Sequence, residues 1–159
     1  MRMSELPGYL RMLADQADYA AIPAADAMGS AFKREVVGDL TERQHPRPTR
    51  TPSPPGDAPA MESGTLARSV AMVPATTPVV ATSSVSPHAS PRDWVNEYGL
   101  VIHAKTPRGM RFQYGPDYYR AQVVRVPERS YIRATVERML ASGEFPRVAG
   151  EAFFTYMWG

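Results

Sequence analysis

The sequence contains no cysteine, which excludes disulfide bonds, cysteine-ligated zinc sites and thiol nucleophiles. It also has no run of about 18 apolar residues, so it predicts no membrane-spanning helix. The first residues, Met1 to Glu5, lack the apolar region of a signal peptide. Together these absences predict a soluble, cytoplasmic protein.

The motifs of common enzyme families are also missing. The chain has no phosphate-binding loop, no dinucleotide-binding glycine motif, no paired-histidine metalloprotease motif and no serine-hydrolase elbow. Its three histidines, His45, His88 and His103, are scattered without a carboxylate at ligand spacing, and His103 is predicted on the exposed side of a strand. Ser63 and Thr65 have no nearby base and are predicted to be turn residues. The sequence therefore predicts no enzymatic activity, no metal and no cofactor.

One pair of carboxylates has a spacing that a catalytic site can use. Asp93 and Glu97 are four residues apart on a short predicted helix, beside Trp94 and Tyr98. A catalytic pair needs two environments that push the two pKa values apart, and a short exposed helix does not offer them. We therefore predict that the carboxylates form a solvated face and that Trp94 and Tyr98 pack this helix onto a sheet.

The net charge is small, +2 with neutral histidines, but it is unevenly distributed. Residues 1–91 contain 8 basic and 9 acidic residues, whereas residues 92–159 contain 10 and 7. The bases of the second part are mostly arginine, which pairs with carboxylates as well as with phosphates. Because a chain this close to neutral gives no electrostatic argument for nucleic acid, salt bridges between subunits are the favoured role.

Proline is abundant: 16 residues, about twice the usual share of ~5%. Six prolines fall within the segment 44–63, which has almost no large apolar side chain: Pro46, Pro48, Pro52, Pro54, Pro55 and Pro59. Such a segment cannot bury enough surface to offset its ordering entropy, and its prolines favour extended chain. We predict an extended arm that lies along a neighbouring subunit, with the chain re-entering its own fold at Gly64.

Hydrophobic periodicity predicts helices at both ends of the chain. Apolar residues spaced three and four predict one helix over residues 4–21 and a second over 23–41, and Pro23 leaves open whether they form one kinked helix. Ser130 is predicted to cap a third helix that ends at Gly143. A last helix is predicted from about Phe145 to Tyr156.

Strand-like segments lie between the arm and the C-terminal helices. Alternating apolar and polar residues predict five strands, over Arg68–Val73, Val79–Val85, Leu100–Ala104, Met110–Tyr114 and Tyr118–Val126. A short helix, Arg92–Tyr98, is predicted to end at Gly99. The predicted fold class is α+β, with N-terminal helices, an extended Pro-rich arm, an antiparallel meander and C-terminal helices. It forms one domain with an arm, whose segments are 1–43, 44–63 and 64–159.

Four stretches in order along the chain resemble a known family: ADAMGSAFKREV, SGTLARSV after the Pro-rich run, DWVNEYGLVIHAKTPRGMRF, and VRVPERSYIRATVERML. Nearly the whole chain is similar to the head–tail joining proteins of long-tailed bacteriophages, the neck or tail-completion proteins termed gene-product-ten-like. Ser130 stands where that family usually has proline.

The resemblance implies a structural virion protein without catalytic activity, located in the virion neck and made in the cytoplasm of the bacterial host. Its partners would be copies of itself in a ring, hexameric by resemblance, and the neighbouring neck proteins: a head-closure or stopper protein and a tail terminator or tail tube. DNA would only pass through the lumen of this connector, and no membrane would be involved.

Two groups of residues are predicted to form interfaces between subunits. The arm prolines are predicted to dock on the strand with Tyr118, Tyr119 and Arg120 of the adjacent subunit, and Phe154 and Trp158 are predicted to form an apolar patch on the last helix. An alternative prediction is a small nucleic-acid-binding module, because arginines interleaved with aromatic residues on strands can bind single-stranded nucleic acid.

Overall fold

The computed structural model describes residues 5–42, 53–59, 61, 63–78, 81–87, 91–114 and 117–159. Within these ranges five α-helices and six β-strands follow one another: α1 Leu6–Glu42, α2 Thr65–Ser69, β1 Val70–Val73, β2 Ser84–Pro87, α3 Pro91–Tyr98, β3 Leu100–His103, β4 Met110–Tyr114, β5 Asp117–Ala121, β6 Val123–Val126, α4 Ile132–Ala141 and α5 Glu144–Trp158. A long N-terminal helix, small antiparallel sheets and C-terminal helices confirm the predicted α+β class.

Helix α1 runs without a break through Pro23, which settles the question that the sequence left open. A proline inside a helix removes one backbone hydrogen bond and crowds the preceding turn. Ala20 and Ala24, on either side of Pro23, are buried. Packing of this face therefore holds the helix together across the proline, and the small alanine side chains let neighbouring elements approach closely.

The chain divides into two compact units. The first unit comprises residues 1–35, 70–86 and 136–159, and the second comprises residues 36–69 and 87–135. Each unit is therefore built from segments that are distant in sequence.

In the first unit α1 packs against the β1–β2 pair and the C-terminal helices. The backbone N–H of Ala75 donates to Asp26 Oδ1 at 2.8 Å, and the rings of Phe32 and Phe145 lie 6.1 Å apart. Met139 of α4 is 1% exposed. β1 pairs with β2 as predicted, but residues 68 and 69 belong to α2 rather than to the predicted strand Arg68–Val73. The partner strand was predicted over 79–85, whereas β2 begins at Ser84, and residues 79 and 80 lie outside the described ranges.

Two glycines of α1, one in a crowded position and one in an open position, allow a test of this packing. A Cβ added at Gly29 would collide with the Ser83 hydroxyl and lie 3.1 Å from Met72 Cε, whereas one added at Gly38 would meet nothing within 4 Å. We expect Gly29→Val to lower the free energy of unfolding by about 1–3 kcal/mol through overpacking. Gly38→Ala should raise it by about 0.5–1 kcal/mol, because alanine costs less entropy than glycine in a helix. Urea denaturation of both variants checks this, and changes of the same sign would contradict it.

The second unit holds two strand pairs, one nested inside the other. β3 pairs antiparallel with β6, and the β4–β5 hairpin is inserted between them in sequence. The predicted strand over 118–126 is broken at Gln122, whose carbonyl accepts from the Ala104 N–H at 2.8 Å and whose Nε2 donates to the Pro107 carbonyl at 2.7 Å. These two hydrogen bonds join the chain segments on either side of the β4–β5 hairpin. The strands therefore form two-stranded sheets instead of a continuous meander.

Helix α3 ends where the sequence predicts. Gly99 has φ +69°, its N–H donates to the Val95 carbonyl at 2.9 Å, and an added Cβ would lie 2.9 Å from the Val126 carbonyl oxygen. Only glycine adopts this conformation without strain while leaving room for β6. The chain can therefore turn directly from α3 into β3.

Candidate interaction surfaces

Large apolar side chains are exposed far more often than they are buried. Among the described residues, 19 large hydrophobic side chains are exposed, whereas the 11 buried hydrophobic residues include six alanines. Single exposed apolar residues are ordinary, but contiguous patches mark sites of interaction. Fifteen of the 19 lie on α1, on the strands of the second unit and on α5, and the other four are Val73, Trp94, Tyr98 and Leu140.

The first surface is the N-terminal part of α1, residues 6–19. Leu6, Leu10 and Leu13 continue the helix face on which Ala20 and Ala24 are buried, but Leu6 and Leu10 are 40% and 54% exposed. The apolar stripe thus extends about two turns beyond the part that its own unit covers. A stripe spaced three and four is the pattern by which one helix packs against another element.

The second surface is on α5, which has no buried residue. Phe154 and Trp158 are one helical turn apart and stack with their ring centroids 5.3 Å apart, although they are 60% and 69% exposed. The sequence predicted both residues at an interface, and the structure brings them together as one exposed aromatic pair. On the same helix Arg147 donates to Glu151 at 2.9 Å.

The third surface is the β4–β5 hairpin. Phe112 and Tyr119 stack on one face with their centroids 6.0 Å apart, and on the other the Arg111 guanidinium lies 4.1 Å from the centroid of the Tyr118 ring. Because side chains alternate along a strand, Tyr118 and Arg120 share a face and Tyr119 lies on the opposite one. The structure therefore divides the three residues predicted as one docking surface between two faces.

Part of the predicted arm makes contacts within its own unit. Pro54 to Asp57 form a turn in which the Asp57 N–H donates to the Pro54 carbonyl at 3.2 Å, with Gly56 at φ +88°. The Gly56 N–H also donates to the Glu128 carbonyl at 3.1 Å. Residues 54–57 are therefore a turn rather than the predicted extended chain.

The side chains of this segment differ in exposure. Pro54 and Pro55 are exposed and Pro59 is half-buried. Ser53 is buried, and its carbonyl accepts from Arg129 Nε at 3.0 Å. Of the other predicted interface prolines, Pro46, Pro48 and Pro52 lie outside the described residues.

A buried carboxylate of the second unit, Glu97, accepts four hydrogen bonds, although the sequence placed it on a solvated face. Glu97 is 6% exposed. Its Oε1 accepts from the Ser130 hydroxyl at 2.7 Å and the Arg133 N–H at 2.9 Å, and its Oε2 accepts from the N–H groups of Tyr131 and Ile132 at 3.0 and 3.1 Å. Burial alone would raise the pKa of the Glu97 carboxyl, but these four hydrogen bonds outweigh it, so the pKa lies below its ordinary value.

Glu97 thus caps the N-terminus of α4. The Ser130 hydroxyl donates to this carboxylate instead of acting as the cap that the sequence predicted. Trp94 and Tyr98 do not pack onto a sheet as predicted: they stack on each other at 5.3 Å and are 62% and 63% exposed. His103 is exposed, as predicted.

In the parts of the chain that the structure describes, no three His, Cys, Asp or Glu side chains are grouped so that they could hold a metal ion. No described helix is both long and apolar enough to cross a membrane. No protein-family model, curated protein or solved structure matches the chain.

Proposed function

We propose that this chain is a structural subunit of the head-to-tail connector of a long-tailed bacteriophage, where copies of it assemble into a ring in the virion neck. The observation that carries the proposal of assembly is the excess of large apolar side chains left exposed on α1, the hairpin and α5. A subunit that buries such patches against neighbours gains the hydrophobic free energy that it lacks alone. The connector itself is proposed from the resemblance of the four sequence stretches.

The distribution of the patches favours a ring over a two-fold dimer. A two-fold dimer uses one patch on both subunits, whereas a closed ring joins two different surfaces of each subunit. α1, the hairpin and α5 expose surfaces of different composition, which favours the contact between unlike surfaces that a closed ring requires. The surface that the ring contact leaves uncovered is then available to the neighbouring neck proteins, a head-closure protein on one side and a tail terminator or tail tube on the other, with DNA passing through the lumen.

The test of this proposal is the state of the purified chain. Light scattering with negative-stain electron microscopy should show a discrete closed ring, hexameric by the resemblance, at micromolar concentration. An antibody against the chain should label the neck of virions encoded by the same genome. A monomer at every concentration, or label confined to another part of the virion, would contradict the proposal.

A second candidate function is a nucleic-acid-binding module, favoured by the exposed Arg111, Tyr118 and Arg120 on one face of the β4–β5 hairpin. Binding of a short single-stranded oligonucleotide in a salt series separates the two candidates. A steep loss of affinity with salt would favour the module, because phosphate contacts release counterions. The connector subunit should show no such slope. Arg147 lies on α5, outside the hairpin, so the control substitution Arg147→Ala should leave the salt dependence unchanged.

A further inference from the structure

Among the described residues, basic side chains without an ion pair are concentrated in the second unit. Six basic and two acidic residues lie between Lys105 and Arg129. Within the described ranges no ion pair involves the five basic residues from 105 to 125, which are Lys105, Arg108, Arg111, Arg120 and Arg125. By contrast, three arginines of the helices have carboxylate partners: Arg34 with Glu144, Arg138 with Glu35, and Arg147 with Glu151. Among the residues that the structure describes, the basic side chains of this strand region therefore form no ion pairs of their own.

Two of these arginines lie directly opposite each other. Arg111 and Arg120 are paired in the register of the β4–β5 hairpin, so their side chains leave the same face, beside Tyr118. Like charges directly opposite in an antiparallel pair destabilise it, and a two-stranded hairpin is marginal on its own. An anionic partner across this face would remove the repulsion and cover Tyr118, which is 60% exposed.

The first turns of α1 carry the matching surface. Met12, Asp15 and Tyr19 are spaced three and four and share one face, and Asp18 follows three residues after Asp15. Met12 and Tyr19 are 52% and 53% exposed, and both aspartates are exposed. Among the described residues neither aspartate has an ion pair. Arg11, four residues before Asp15, is the one basic residue in this part of the helix, so residues 6–19 carry two acidic residues and one basic residue.

We propose that the Arg111, Tyr118 and Arg120 face of one copy docks on the Met12, Asp15 and Tyr19 face of α1 in a second copy. The two arginines pair with Asp15 and Asp18, and the Tyr118 ring packs against Met12 and Tyr19. The contact joins two different surfaces, so it propagates from one copy to the next, as a ring requires. This inference rests on the self-assembly put forward under the proposed function.

A second copy fits these surfaces better than a nucleic-acid strand does. A phosphate backbone would satisfy Arg111 and Arg120, but it would leave Met12 and Tyr19 of α1 uncovered. An acidic, partly apolar face on the same chain satisfies both the charge and the apolar area.

Reciprocal charge reversal tests this contact. One variant carries Arg111→Glu and Arg120→Glu, and the other carries Asp15→Lys and Asp18→Lys. Each alone should self-associate at least about 100-fold more weakly than the original chain, because like charges then face each other across the interface. An equimolar mixture should assemble again with the two variants alternating, and so should a chain that carries all four changes. Light scattering gives the mass, and circular dichroism confirms that each variant is folded.

A matched control changes the same amount of charge outside the hairpin: Lys105→Glu with Arg125→Glu should assemble like the original chain. The inference is overturned if either reversal variant assembles normally, or if neither the mixture nor the fourfold variant regains assembly. If the variant with Arg111→Glu and Arg120→Glu loses oligonucleotide binding but assembles normally, the hairpin is assigned to nucleic-acid binding instead. A monomeric original chain would overturn the proposed function as well, whereas normal assembly of the reversal variants would overturn only this contact.

Discussion

Replacing Glu97 by glutamine should lower the free energy of unfolding by about 3 kcal/mol. Each carboxylate oxygen of Glu97 accepts two hydrogen bonds, from the Ser130 hydroxyl and three backbone N–H groups. An amide keeps one of these oxygens and puts an NH₂ group, which can only donate, where the other was. One buried and one partly buried donor at the start of α4 then lose their acceptor, and each such loss costs about 1–3 kcal/mol.

Urea denaturation of the Glu97→Gln variant measures this effect. Glu137→Gln is the matched control, since Glu137 is an exposed glutamate on α4. The control should change the free energy of unfolding by no more than about 0.5 kcal/mol. Equal effects of the two substitutions would mean that the cap contributes nothing beyond an exposed helix charge.

The contribution of Glu97 should also depend on pH in a defined direction. The pKa of the folded Glu97 is lowered, so its carboxylate stabilises the fold above the unfolded-state pKa of a glutamate, about 4.3. This stabilisation is lost as the pH falls through the folded-state pKa. The difference in unfolding free energy between the original chain and Glu97→Gln should therefore be largest near neutral pH and shrink below about pH 4. A difference that grows on acidification would contradict the assignment.

The helices could be predicted because their signals are local. The spacing of Leu6, Leu10 and Leu13 defines the start of α1 without any knowledge of what covers it. Gly99 and Gly143 both have positive φ and end or separate helices as predicted. These features depend on a few adjacent residues, which a sequence displays directly.

Contacts between distant residues could not be predicted in the same way. The hydrogen-bond partners of Glu97 lie 33 to 36 residues further along the chain, and no spacing around Glu97 indicates them. The pairing of β3 with β6 likewise depends on how the intervening hairpin closes on itself. The apolar stripe of α1 could be recognised in the sequence. Its spacing does not indicate whether the element that packs against it belongs to the same chain or to another one.

The aromatic pair on α5 gives the second large expected effect. We expect the double substitution Phe154→Ser and Trp158→Ser to weaken self-association at least about 100-fold, since a buried aromatic anchor typically contributes 2 kcal/mol or more at an interface. A standard interface buries about 800 Å² on each partner, and an apolar patch on α5 adds to the area that the hairpin and α1 contribute. The exposed Phe154 and Trp158 rings provide it.

The same substitution should leave the isolated subunit nearly as stable, because the pair is more than half exposed and stacking contributes only about 0.5–1.5 kcal/mol. Met139→Ala is the opposite control: Met139 is buried, so it should lower the free energy of unfolding by about 2–5 kcal/mol. Urea denaturation of dilute protein and light scattering of concentrated protein separate the two effects. If the double variant unfolds early, Phe154 and Trp158 support the fold of the subunit; if it assembles normally, the α5 patch is not part of the contact between copies.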